Sequence, residues 1–193
     1  MPQSAARASK RGPRSDATRN RARLLAAASK LFIERGPDVP FTEIAKAAQV
    51  GVGTIYRHFP TREELIEAAY HSELVAVCEA AGELLAAKPP EEALRAWMDR
   101  FGQYMTTKLG LADAIRAVVV SGGNPFAQSR EKLTAALGSL LDATSAAGVT
   151  RREVSADDLL MTLSGIAMAA GAPDQHEQLQ RMIDLVFEGV RSR

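Results

Sequence analysis

The stretch Gly51-Val52-Gly53-Thr54-Ile55-Tyr56-Arg57-His58-Phe59 decides how the first part of this chain folds. It follows a short helical pattern over residues 41–50, after a glycine-containing turn of two or three residues. Two short helices crossed through such a turn can place one helix N-terminus against base edges in a DNA major groove. Packing alone does not require the hydrogen-bonding side chains crowded onto this helix, which are Thr54, Tyr56, Arg57 and His58. The stretch therefore predicts the second helix of a helix-turn-helix.

The charge of the chain is divided unevenly between its two parts. Residues 1–62 carry 12 Lys and Arg against 4 Asp and Glu, whereas residues 63–193 carry 12 against 19. A basic first third favours a polyanion as partner, and the acidic remainder should be repelled by it. A basic terminus can equally be a solvated tail, so charge alone leaves both interpretations open.

The bulk composition is that of an ordinary globular protein, with 46% hydrophobic and 24% charged residues among 193. No apolar run reaches the roughly 18–20 residues of a membrane span. The N-terminus lacks the apolar segment of a secretory signal, and the single cysteine, Cys78, cannot form an internal disulfide. These features predict a cytoplasmic protein without a membrane partner.

Helical periodicity continues along the whole chain, and no stretch alternates with period two. We therefore predict an all-α fold of about nine helices. Gly36-Pro37 should end the first helix, and Thr42 should cap the second. Thr61-Arg62-Glu63-Glu64 has the pattern of a capping box that opens a long fourth helix. Asn124-Pro125 has the pattern of a cap followed by a proline in the first helical position.

The segment from Leu31 to Glu67 resembles the DNA-binding domain of TetR-family transcriptional regulators. The matching residues are Phe32, Gly36, Thr42, Ile44-Ala45, Gly53-Thr54-Ile55-Tyr56-Arg57-His58-Phe59, Arg62 and Glu63-Glu64-Leu65. The remainder is similar in kind to the variant C-terminal domain of actinobacterial-type members. Gly51 and Arg62 depart from the Ser and Lys that are frequent in the family, but glycine tolerates a cap position and arginine keeps the charge.

The resemblance implies a domain organisation and a function. Residues 1–15 are expected to form a disordered basic arm and residues 16–67 a helix-turn-helix domain. The long fourth helix should join that domain to a helical ligand-sensing and dimerisation domain over residues 68–193. The implied function is a homodimeric repressor that binds a palindromic double-stranded operator and is released by a small, apolar effector.

Eight residues are the predicted contacts with DNA. Phosphates are expected to bind Thr42, Tyr56, His58 and Arg62, and base edges are expected to lie near Val52, Gly53, Thr54 and Arg57. Arg57 can pair with a guanine or hold a phosphate with equal chemical plausibility. The Tyr56 ring can belong partly to the core, and His58 can be an ordinary surface imidazole.

Two further sets are predicted in the C-terminal part. The candidate ligand pocket comprises Trp97, Phe101, Tyr104, Met105, Arg116, Asn124, Met161 and Met168, although such aromatic and Met residues belong to the core by default. The candidate dimer interface comprises Gly165, Ala169, Leu179, Met182, Ile183, Val186 and Phe187. One face of each of these last two helices can also pack within its own subunit.

Other functions find little support in the sequence. The three histidines, His58, His71 and His176, are too scattered to suggest a metal site, and no nucleophile or phosphate-loop motif occurs. We expect neither catalysis nor a cofactor. The alternative that remains is a helical scaffold whose basic arm binds nucleic acid or membranes without sequence preference.

Overall fold

The computed structural model describes residues 13–120, 122–126, 128–170 and 175–192. Over these ranges the chain forms nine α-helices and no strand, which confirms the all-α prediction. The helices are α1 (Pro13–Arg35), α2 (Phe41–Ala47), α3 (Val52–His58), α4 (Arg62–Ala87), α5 (Pro90–Gly110), α6 (Ala112–Val120), α7 (Ser129–Ala146), α8 (Ala156–Ala170) and α9 (His176–Val190). Residues 1–12 of the arm predicted over residues 1–15 lie outside the described residues. Residues 13–15 belong to α1, which begins at Pro13 and not near Asp16 as expected.

The first three helices and the start of α4 enclose a small apolar core. Each helix contributes the side chains that its 3.6-residue period aligns on one face. The buried members include Phe32, Ile44, Ala45, Ala48, Ile55, Phe59 and Leu65. Phe41, the first residue of α2, is buried with them. This core fixes α3 against α1 and α2.

The caps of the helices agree with the sequence at one place and differ at two. The Thr61 hydroxyl accepts a hydrogen bond from the Glu64 backbone N–H at 3.2 Å, as the capping pattern at α4 predicts. The prediction that Thr42 caps α2 was wrong, because α2 already begins at the buried Phe41 after an extended Pro40. Asn124-Pro125 was also wrong as a helix start. The buried Pro125 belongs to a turn, and α7 begins four residues later, after a left-handed Gln128.

We expect Thr61→Ala to lower the free energy of unfolding by about 0.5–2 kcal/mol, because the first turn of α4 loses the acceptor for one backbone N–H. Chemical denaturation followed by circular dichroism measures this loss. Thr42→Ala is the matched control, since Thr42 is exposed inside the first turn of α2 and has no capping bond. An equal loss in both variants would contradict the assignment of the cap.

Helix α4 connects the small core to a larger helical bundle. It packs on α1 near its start and on α5, α6 and α7 further along. Trp97 of α5 is fully buried against it and donates its indole N–H to the Val77 carbonyl at 2.8 Å. On the other side of α5, Gly102 faces Leu179 and Ile183 of α9, where an added Cβ would lie only 3.1 Å from Ile183 Cδ1. Within the described residues, no helix has the length and apolar character needed to cross a membrane.

Candidate nucleic-acid interface and ligand pocket

Helix α3 is anchored on one side and open on the other. Gly51 precedes it in an extended conformation, and its carbonyl accepts a hydrogen bond from the Thr54 N–H at 2.8 Å. Ile55 is completely buried and holds the helix to the core. The opposite side presents Val52, Gly53, Tyr56 and Arg57, all exposed, with Thr54 half-buried at its edge. A Cβ placed on Gly53 would contact nothing within 4 Å, so no neighbour in the described chain requires a glycine there.

Tyr56 and Arg62 meet on the ring of Phe41. The Tyr56 ring lies 5.2 Å from the Phe41 ring, yet Tyr56 remains 55% exposed. The Arg62 Cζ atom lies 5.4 Å from the centre of the same ring. Phe41 therefore supports one residue of α3 and one of α4, while the Tyr56 hydroxyl stays free to bind a partner.

Arg62 also has partners inside the chain that the sequence analysis missed. Its Nη1 atom donates to the Val39 carbonyl at 2.8 Å and to the Pro37 carbonyl. These carbonyls lie in the link between α1 and α2, so Arg62 ties the start of α4 to that link. Any contact of Arg62 with a phosphate must use the rest of its guanidinium group, and the residue has a positioning role that was not predicted.

His58 lies in a different setting from Tyr56 and Arg57. It is half-buried beside Phe59 and lines a groove of about 530 Å³ between α1, α3 and α4. Glu64 and Glu67 line the same groove. Arg21 lies on the other wall of this groove, so His58 has charges of both signs around it, and its contact with a phosphate stays a prediction. Thr42, by contrast, is exposed in the first turn of α2, where backbone N–H groups are available to an anion.

An ion pair links the end of α1 to α2. Arg35 donates hydrogen bonds to both carboxylate oxygens of Glu43, and this pairing holds the pKa of Glu43 below its ordinary value. Glu43 stays charged beside Thr42, and Arg35 neutralises it. This pair could not be predicted from the sequence, because the two residues approach only when α1 and α2 cross.

A cavity of about 220 Å³ lies between α5, α7 and α8 in the C-terminal bundle. Four residues of the predicted ligand pocket line it, namely Phe101, Tyr104, Met105 and Met161. Lys108, Phe126, Ser129 and Arg130 also line it and were missed. The structure does not bring the other predicted pocket residues there. Trp97 is core, Met168 is exposed on α8, Asn124 is exposed in the link before α7, and Arg116 lines a neighbouring cavity of about 300 Å³.

Buried hydroxyl groups form the polar part of this cavity. The Tyr70 and Tyr104 oxygens are 2.8 Å apart, and the Ser129 Oγ lies 3.4 Å from the Tyr70 oxygen. Burial, followed by the bond to Tyr70, raises the pKa of Tyr104, so its phenol keeps its proton at neutral pH. Tyr70 belongs to α4 and does not line the cavity, so the bond between Tyr104 and Tyr70 links the cavity to the helix that begins at Arg62.

The predicted dimer interface divides into two faces. Leu179, Ile183 and Phe187 are buried within the subunit, because α5 covers this face of α9. Met182 and Val186 are half-buried, while Gly165 and Ala169 of α8 are exposed. Leu185 was not predicted for this interface, although it is 74% exposed on α9. Met168, predicted for the ligand pocket, is 69% exposed on α8. The apolar side chains that these two helices leave accessible are Met161 and Met168 on α8 and Leu185 and the half-buried Met182 on α9, and we call them together the α8–α9 surface.

Comparison with known proteins covers both parts of the chain. Residues 24–69 match the model of the bacterial regulatory proteins of the tetR family. Residues 89–192, more than half of the chain, match the C-terminal domain of SbtR-like transcriptional regulators. The chain belongs to the TetR family of transcriptional regulators.

Solved TetR-family structures resemble the whole chain. A TetR transcriptional regulator from Streptomyces coelicolor is 50% identical, with 89% of this chain and 98% of that chain covered and a TM-score of 0.86. A TetR regulator from Mycobacterium vanbaalenii is 33% identical, with 94% and 100% covered and a TM-score of 0.77. Curated helix-turn-helix regulators of Staphylococcus aureus are 43% identical over 53 residues, which is 27% of this chain and 29% of theirs. As a TetR-family member, the chain is a DNA-binding regulator of transcription with a helix-turn-helix domain.

Proposed function

We propose that this protein is a cytoplasmic, ligand-responsive repressor that binds a palindromic operator as a homodimer and is released by a small molecule. The observation that carries the proposal is the open side of α3. It displays Tyr56 and Arg57 on a helix whose other side is locked into the core by Ile55. A rigid helix with an exposed phenol, an exposed guanidinium and a bare glycine is suited to a major groove.

The roles on this helix follow from chemistry and exposure. Arg57 can form a bidentate pair with guanine or hold a phosphate, and Gly53 lets the helix approach the bases closely. Tyr56 supplies a hydroxyl to a phosphate while its ring rests on Phe41. Thr42 adds a contact from the start of α2.

Two copies are required because one helix-turn-helix makes few contacts, and dimers gain affinity by binding two half-sites. The α8–α9 surface offers the apolar area for this association. A two-fold axis through it would bring the same patch of each copy together. Exposed Gly165 and Ala169 would allow the helix backbones to approach.

Release by a ligand is supported by the position of the cavity. Tyr104 lines it and is hydrogen-bonded to Tyr70 of α4. The same helix starts at Arg62, which is bonded to the α1–α2 link. A ligand that binds one arrangement of α4 better than the other shifts the population toward that arrangement.

The direct test is an electrophoretic shift with the full chain and the DNA upstream of its own gene. We expect a specific shift at moderate salt that unlabelled scrambled DNA does not compete away. A folded dimer that gives no specific shift would sink the proposal. Affinity that follows salt alone, equal for all sequences, would favour the nonspecific scaffold instead.

We expect Arg57→Ala to weaken operator binding by about 1–3 kcal/mol and to relax base preference at one position, if Arg57 reads guanine. Binding titrations against the operator and single-base variants measure both effects. Arg152→Ala removes the same charge from an exposed site between α7 and α8 and serves as the control. Equal weakening on cognate and scrambled DNA would assign Arg57 to a phosphate.

A further inference from the structure

We propose that the effector is a small, single-ring carboxylic acid with a second polar group on the ring, bound in the cavity between α5, α7 and α8. The inference rests on the proposed ligand-responsive function and names the chemical class of its ligand. Three observations lead to it: the size of the cavity, an O–H donor without an acceptor among the described residues, and a lysine that has no carboxylate partner in the same part of the chain.

The size and walls of the cavity favour a small ligand with one ring. A volume of about 220 Å³ is below the range of roughly 300–1,000 Å³ that drug-sized ligands occupy. The walls include the rings of Phe101, Tyr104 and Phe126 together with the aliphatic side chains of Met105, Leu133, Leu160 and Met161. Aromatic side chains pack favourably on the face or edge of another ring, so a flat ring fits these walls better than a flexible chain.

The hydroxyl groups leave one hydrogen-bond donor for a ligand. Tyr70, Tyr104 and Ser129 hold three O–H hydrogens, but only two contacts join their oxygens. Tyr70 is buried and does not line the cavity, so leaving its own hydrogen unpaired would be costly. When Tyr70 donates to one neighbour, the spare hydrogen falls on Tyr104 or Ser129, and both of these line the cavity. A hydroxyl or carbonyl oxygen of a ligand can accept it.

The charge at the cavity favours an acid. Lys108 and Arg130 are the cations that line it. Arg130 is already paired with Asp157, to which its Nε donates at 3.1 Å. Lys108 forms no ion pair among the described residues, and its Nζ lies 5.0 Å from the centre of the Phe126 ring. One positive charge on an aromatic wall therefore remains uncompensated, and a carboxylate is the group that neutralises it.

Fluorescence and calorimetry with the full chain, in the absence of DNA, test the proposal. The probes are meta- and para-hydroxybenzoate, benzoate, and the two neutral hydroxybenzamides. Trp97 is the only tryptophan, and its ring stacks 5.5 Å from Phe101 in the cavity wall, so binding should change its emission. We expect at least one hydroxybenzoate to bind with a Kd near or below about 1 mM, as suits about ten non-hydrogen atoms. It should bind about tenfold or more tightly than its amide.

Two variants separate the contributions. Lys108→Gln should remove most of the preference for acid over amide, whereas Lys132→Gln, which changes an exposed lysine of α7 outside the cavity, should retain it. The double variant Tyr104→Phe with Ser129→Ala removes both candidate donors and should remove most of the advantage of hydroxybenzoate over benzoate. The proposal is overturned if neither hydroxybenzoate binds by about 10 mM, if the amides bind as tightly as the acids, or if Lys108→Gln keeps the preference. Because the assay contains no DNA, these results are independent of whether the protein binds an operator.

Discussion

Leu185→Glu should convert the proposed homodimer into monomers and lower operator affinity by at least about a hundredfold. Leu185 is the most exposed large apolar residue of the α8–α9 surface. In a two-fold interface each substitution occurs on both copies, so two carboxylates would enter one apolar contact. Buried charges without partners are costly, and the loss of the dimer removes one of the two half-site contacts.

Sedimentation velocity and binding titrations on the operator measure the two effects of Leu185→Glu. Gln103→Glu adds the same charge to an exposed position of α5, outside the α8–α9 surface, and should leave both the dimer and its affinity unchanged. A Leu185→Glu protein that remains dimeric with full affinity would show that the subunits associate through another surface.

Phe41→Ala should lower the free energy of unfolding by about 3–5 kcal/mol and abolish operator binding. The Phe41 ring is only 7% exposed and contacts both Tyr56 and Arg62. Its removal leaves a void under α2 and takes away the support of two residues proposed to face DNA. Chemical denaturation and binding titrations measure the two losses separately.

Phe41→Leu is the matched variant for this position, because leucine keeps much of the buried apolar volume but offers no aromatic ring. We expect a stability loss well below that of Phe41→Ala, together with clearly weaker operator binding. If Phe41→Leu binds the operator as the natural chain does, the ring contacts do not position Tyr56 and Arg62.

Much of the fold could be predicted because the hydrophobic period and the capping residues of the sequence indicate the same helices. The 3.6-residue period revealed the helices, and Ile55 and Phe59 identified the buried side of α3. The cap at Thr61 was also legible, because a capping pattern depends only on neighbouring residues. The start of α2 could not be predicted in this way. It is set by the burial of Phe41, which depends on contacts with α3 and α4.

Long-range partners account for the parts of the site that the sequence did not reveal. Arg62 bonds carbonyls more than twenty positions earlier in the chain, and carbonyls leave no mark in a sequence. The periodic stripe of α9 showed that one face is apolar but not what covers it. Covering that face required α5, where Gly102 gives room for Leu179 and Ile183. Leu185 was not predicted because it lies outside the apolar face of α9 that the 3.6-residue period reveals.

The ligand pocket was only half predictable. Aromatic and Met residues on α5 were recognised, but the sequence could not separate Trp97, which fills the core, from Phe101 and Tyr104, which border the cavity. The polar groups came from elements distant in sequence, with Lys108 on α5 and Ser129 on α7. These groups change the expected effector from an apolar compound to an amphipathic acid.

Selection of binding sites from random double-stranded DNA tests whether the protein binds a specific palindrome through α3. Purified full-length protein is incubated with the pool at moderate salt, and the retained DNA is sequenced over successive rounds. We predict enrichment of one palindrome whose half-site centres lie about one helical turn, or a multiple of it, apart. Tyr56→Ala removes an exposed side chain of α3 whose ring contacts Phe41, and this variant should fail to enrich the palindrome. Retention of DNA without any enriched sequence, or enrichment that Tyr56→Ala leaves unchanged, would contradict the account.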